Sequence, residues 1–231
     1  MKKLLLFTLT LFMAISFVQA QKFMPVFDQQ WGRLTYVVKN DDSKVWGIST
    51  SGVVGPNGMI KITLKDTASE EKYKFKIEDI KEVGISSKGG LGKVEAMTSA
   101  LQSANSISEM ARTDYKSVLN SDFYIYRRVV DKKGKPRMLQ LLNPGFETRM
   151  QVYADPKAKE SAGGLLSNMA EGMEESYYVA RGNSSATYVQ KKKYKKSMSS
   201  VFDDCSMILE AYKPDFSEFA AHVFYYENEC K

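Results

Sequence analysis

The sequence predicts an α+β protein: two small antiparallel β units joined by a helix, with a C-terminal disulfide-linked helical hairpin. Three observations carry this. Residues 59–64 and 72–77 alternate apolar and charged side chains, the pattern of strands wet on one face and buried on the other. Between two β-rich stretches, Val94, Met97, Leu101, Ala104, Ala111, Tyr115 and Val118 recur at helical spacing. Near the end, the chain's two cysteines, Cys205 and Cys230, fall on two successive helical patterns.

Residues 1–20 read as an export signal. Lys2 and Lys3 form a basic start, an apolar run of about 14 residues follows, and Val18 and Ala20 stand where a signal peptidase reads small side chains. The run is short of the roughly 20 residues that span a bilayer, so an exported chain beginning at Gln21 is expected. No later stretch is long and apolar enough, so no transmembrane segment is expected in the mature chain.

Residues 21–86 read as a barrel-like N-terminal β unit. Strand signals cover 34–38, 45–54, 59–64, 72–77 and 83–85, and the turn at Gly55, Pro56, Asn57 and Gly58 is the strongest between them. Residues 87–120 read as a glycine-rich linker and the helix. Residues 121–231 read as the second β unit with the hairpin. Its strand signals lie at 123–130, 138–142, 149–153, 176–180 and 186–190, with a turn at Gly182 and Asn183. The stretch 155–175 is long for a connection, which marks it as functional or mobile. Met198, Val201, Phe202, Cys205, Ile208, Leu209 and Tyr212 share one helix face. Pro214 ends that helix, and Asp215 with Glu218 suits the start of the next.

Export gives the cysteines a meaning. An even pair in an oxidising compartment predicts a Cys205–Cys230 disulfide. It would close a loop of about 26 residues, worth roughly 3.5 kcal/mol in the chain-entropy treatment. Two cysteines and one histidine, His222, do not make a metal cage, and no cofactor or metal site is expected.

The composition is that of a folded chain, with 43% hydrophobic and 26% charged residues, which excludes wholesale disorder. The net charge is +6, and Lys191, Lys192, Lys193, Lys195 and Lys196 account for most of it. These five lysines around Tyr194 are a candidate anion-binding cluster at a strand-to-helix junction. No catalytic residue is assigned. His222 reads as a partly buried helix residue and Asp203 with Asp204 as solvated surface, and no nucleophile elbow is present. Gly89 to Lys93 lacks the spacing and the hydroxyl residue of a phosphate loop. Charged outer strand faces argue against an outer-membrane barrel.

The C-terminal pattern of Tyr194, Phe202 and Cys205, then Phe216, Phe219, Tyr226 and Cys230, resembles the tail of uncharacterised exported proteins of Bacteroidetes bacteria. The signal ending at Ala20 and the segment from Trp31 and Gly32 to Asp79 and Ile80 are similar to theirs. So are Gln140 to Gly145 and Val152 to Pro156. The resemblance implies a periplasmic or cell-surface location and carries no activity. The functional expectation is an exported, non-catalytic binding or assembly protein of the cell envelope. Its partner would be an envelope protein or an anionic surface polymer, and export argues against intracellular nucleic acid. The alternatives are a hydrolase with an unrecognised site and a polyanion-binding module built on the 191–196 lysines.

Overall fold

A computed structural model describes residues 23–87, 121–158 and 176–230, apart from Asp28 and Asn183. The expected signal at 1–20, the glycines at 89–92, the helix from Val94 to Val118 and the stretch 159–175 lie outside the described residues.

Alternation places the strands close to where they form. They are β1 (Leu34–Lys39), β2 (Lys44–Gly55), β3 (Gly58–Lys65), β4 (Lys72–Lys76), β5 (Ile80–Ser86), β6 (Phe123–Val130), β7 (Pro136–Gln140), β8 (Met150–Ala154), β9 (Ser176–Arg181) and β10 (Thr187–Gln190). Their pairing departs from the expected α+β layout of two antiparallel units joined by a helix. β5 pairs with β6 from Glu82↔Arg127 to Ser86↔Phe123, across the junction between the two expected units. Six strands in the order β2-β1-β5-β6-β7-β3 close on themselves because β3 also pairs with β2. The result is one mixed barrel and a separate three-stranded sheet in the order β10-β9-β8. Alternation reports which face of a strand is buried, not which strand lies beside it. That is why the strands were legible and the pairing was not.

The ring closes at one place. β7 meets β3 in parallel at Gly58↔Met138, while the rest of that β3 edge pairs with β4 from Lys61↔Lys76 to Lys65↔Lys72. Gly58 also ends the two-residue turn from Gly55, and its φ is +94°. A Cβ there would strike the Met138 carbonyl. Glycine serves both needs, the left-handed backbone and the close approach.

Ile62, Leu64, Phe75, Val83, Ile85, Tyr126 and Met138 help fill the barrel. A second core joins the β8–β10 sheet to the helices, through Val152, Val179, Tyr194, Phe202, Phe219 and Tyr226 among others. A third cluster joins barrel residues to the second sheet through Val129, Leu139, Leu141, Tyr153 and Tyr178. The N-terminal segment stitches both cores: Met24 and Phe27 lie in the barrel, and Phe23 packs on the second core. Gln140 fixes it. The Phe27 N–H donates to Gln140 Oε1 at 2.8 Å, and Gln140 Nε2 donates to the Pro25 carbonyl at 2.9 Å. A buried amide is thus satisfied on both sides.

The C-terminal hairpin contains three helices rather than two: α1 (Lys191–Val201), α2 (Ser206–Ala211) and α3 (Phe219–Glu229), the last preceded by a short 3-10 turn at Phe216–Glu218. The stripe expected to run on through Tyr212 breaks after Val201. Phe202 leaves the helical backbone at ψ 38° and buries its ring against Tyr226 and Phe219. Cys205 and Cys230 stand at disulfide distance, with Cα atoms 5.6 Å apart, at the start of α2 and the end of α3. Among the described residues no helix is long and apolar enough to cross a membrane.

The closure predicts an asymmetric response to two glycine substitutions. Gly58→Ala combines backbone strain with a clash and should cost roughly 3 kcal/mol. Gly134→Ala has a similar φ, +75°, and open space around it, so about 1 kcal/mol is expected. Thermal or denaturant melts of the two variants check the difference.

Candidate functional site

Helix α1 starts directly after β10, with no intervening loop. Gln190 stands at its N-cap without a side-chain cap, and no acidic residue occupies its first turn. Lys191, Lys192, Lys193, Lys195 and Lys196 all lie exposed on it. The cluster expected at a junction is therefore the first half of the helix itself. Cations in a first helical turn oppose the macrodipole, by roughly 0.3–1 kcal/mol each at exposed sites. The inner face of the helix is apolar: Tyr194, Met198 and Val201 face inward and are buried.

Tyr194 is the anchor. Its ring packs edge-on against Phe216 and Phe219, and its hydroxyl lies 2.6 Å from His222 Nδ1 on α3. Burial raises the Tyr194 phenol above its ordinary value. His222 is fully buried, stacked on Tyr194, with Tyr212 and Phe202 edge-on to its ring. Its Nε2 lies 3.8 Å from Glu218 Oε2 and has no hydrogen-bond partner among the described residues. Burial pushes its pKa down to about 4, against a smaller opposing pull from Asp215. The imidazole is therefore neutral at pH 7. A general base needs reach to a substrate proton. Enclosed among aromatic rings, His222 acts as a packing and hydrogen-bonding partner for the helix that carries the lysines. It is more buried than the sequence suggested.

Asp203 and Asp204 are exposed, and each also has partners. Arg181 donates to Asp203 at 2.7 Å, which lowers that carboxyl below its ordinary value. Asp204 accepts from the Tyr226 hydroxyl at 2.6 Å and from Arg149 at 3.2 Å, and both guanidinium groups lie over the Tyr226 ring. These contacts sit beyond the end of α1, where the helix breaks.

Sequence reasoning missed one polar cluster. Arg127 on β6 donates to Glu82 on β5 at 2.7 Å and to Glu147 at 2.6 Å. Tyr36 donates to the other oxygen of Glu82 at 2.7 Å. Burial raises the Glu147 carboxyl, with Arg127 working against it, and pushes the Tyr153 phenol up to about 12. One guanidinium bridging two carboxylates holds β5, β6 and the segment after β7 together. No local motif links positions 36, 82, 127 and 147, so only the register could reveal them. Among the described residues no group of His, Cys, Asp and Glu is placed to hold a metal ion.

Set beside protein-family models, curated proteins and solved structures, the chain matches none of them.

The burial of His222 has a pH signature. Its folded pKa lies below the unfolded value of about 6.5, so between those values the unfolded chain binds the extra proton. This contribution is complete above about pH 6.5 and is lost as pH falls toward 4. A difference of about 2.5 units corresponds to an upper bound of roughly 3 kcal/mol. His222→Phe should flatten the stability profile across that window relative to the wild-type chain, as read from urea midpoints at successive pH values.

Proposed function

We propose that this is an exported, non-catalytic binding or assembly protein of the cell envelope that presents the lysine face of α1 to an anionic partner. The observation that carries the reading is the combination at α1. Five exposed lysines crowd a helix start that has no acid in its first turn and no side-chain cap, while one buried tyrosine holds that turn against the core. Cations in that turn oppose the helix macrodipole, with Asp215 acting favourably on Lys191. An anionic partner removes the penalty and gains from releasing counterions.

Two further features support the setting. The Cys205–Cys230 pair, at disulfide distance, suits an oxidising compartment, and the amino-terminal pattern suits export. The same pair ties the start of α2 to the end of α3, beside the element that presents the lysines. An anionic polymer of the cell surface fits the charge and the compartment together. The residues from which a hydrolytic site would first be sought are engaged elsewhere: His222 with Tyr194, and Asp203 and Asp204 with arginines.

The test is substitution of Lys191, Lys192, Lys193, Lys195 and Lys196 by Gln in the full chain. Affinity for a sulfated polysaccharide, measured at low salt, should fall at least tenfold, and its dependence on salt should flatten. The melting temperature should hold or rise, because the unfavourable first-turn charge is gone. Unchanged affinity would remove α1 as the binding face.

A further inference from the structure

A second basic surface is built by strand pairing, on β3 and β4. In an antiparallel ladder, directly paired residues point to the same face of the sheet. β3 and β4 pair Lys61↔Lys76, Thr63↔Lys74 and Lys65↔Lys72. The alternate pair Ile62↔Phe75 points inward and is buried. The outward rows of this ribbon are therefore Lys61, Thr63 and Lys65 on one strand, and Lys72, Lys74 and Lys76 on the other. Lys61, Lys72, Lys74 and Lys76 are exposed. Lys65 alone among the five has an acidic partner among the described residues, Glu70 at 2.7 Å.

Like charges placed directly opposite each other destabilise a strand pair. Here that happens at two of three outward positions. Lysines on an edge strand often guard it against pairing with another chain, and β4 is the end strand of its sheet. That purpose needs lysines on β4 only. It does not account for Lys61 and Lys65, which lie on the inner strand of the pair and face the β4 lysines.

We infer that the outward face of the β3–β4 ribbon is a binding strip for a linear polyanion, with its lysines spaced to track successive anionic groups. Along β4 successive outward lysines stand about 6.6–6.8 Å apart, on β3 Lys61 and Lys65 stand about 13 Å apart with Thr63 between them, and the two rows lie about 5 Å apart. This makes a narrow double track rather than a broad patch. The outward rows hold lysine and one threonine, and the exposed apolar residues of these strands, Ile60 and Tyr73, fall outside those rows, so the rows lack the apolar anchors by which a protein inserts into a bilayer surface. That composition favours a polymer chain over a membrane. The inference does not rest on the α1 cluster, which belongs to a different element and a different core.

The test uses the full chain carrying Lys61→Gln, Lys74→Gln and Lys76→Gln, with heparin as the polyanionic probe. Vesicles rich in phosphatidylglycerol form the second arm, and the α1 five-lysine variant is the comparison. The expected result is at least a tenfold loss of heparin affinity at low salt, a shallower salt dependence, and a melting temperature that holds or rises as repulsion is relieved. Heparin affinity equal to wild type would overturn the inference. So would a loss seen only with vesicles, which would assign the strip to lipid. If the α1 variant loses affinity and the ribbon variant does not, the ribbon fails and the α1 reading stands. The reverse result separates them in the other direction.

Discussion

Everything in the barrel depends on how the far edge of β3 is shared. Its first residue, Gly58, meets Met138 of β7, and the remainder of that edge pairs with β4. The first contact closes a six-stranded ring, and the second leaves β4 outside it as an appended strand. The close approach is possible because Gly58 has no side chain to strike the Met138 carbonyl. The position of β4 then determines its exposure, and the register with β3 determines that lysine faces lysine. A backbone constraint at one glycine thus reaches the surface chemistry of the molecule.

The ring also explains why two cores act together. β6 and β7 belong to the barrel, yet Val129 and Leu139 pack with Tyr153 and Tyr178 of the second sheet. The amino-terminal segment places Phe23 on one core and Phe27 in the other, with Gln140 holding the backbone between them. On the far side, α1 is oriented by Tyr194 and His222, and α2 and α3 are tied through Cys205 and Cys230. The basic helix is therefore anchored to the core by its inner face. Apolar burial fixes its inner face, so its outer face can carry charge that local helix energetics would not choose.

Strand positions were largely legible, because alternation at residues 59–64 and 72–77 records burial directly. The lysine run was legible as charge, and the two cysteines as a pair that the fold brings to disulfide distance. What could not be read was pairing across long separations. Residues 87–122 intervene between β5 and β6, and no local pattern says that Ser86 will lie opposite Phe123. The same gap hid the bridging of Glu82 and Glu147 by Arg127. The lysines at 61, 65, 72, 74 and 76 looked like two ordinary wet faces until the register stacked them. The helical stripe from Met198 to Tyr212 was real in its apolar spacing but silent about the break at Phe202. That break depends on aromatic packing and on arginines supplied by β9 and the segment before β8.

The strands before and after residues 87–122 form one closed barrel. Amide hydrogen exchange on the full chain tests it directly. A shared ring predicts that the most protected amides of β5 and β6 exchange through one cooperative opening, with matching free energies and the same denaturant dependence. Exchange of β5 together with β1 to β4 at a distinctly lower free energy, while β6 and β7 stay protected, would contradict it and restore two separate β units.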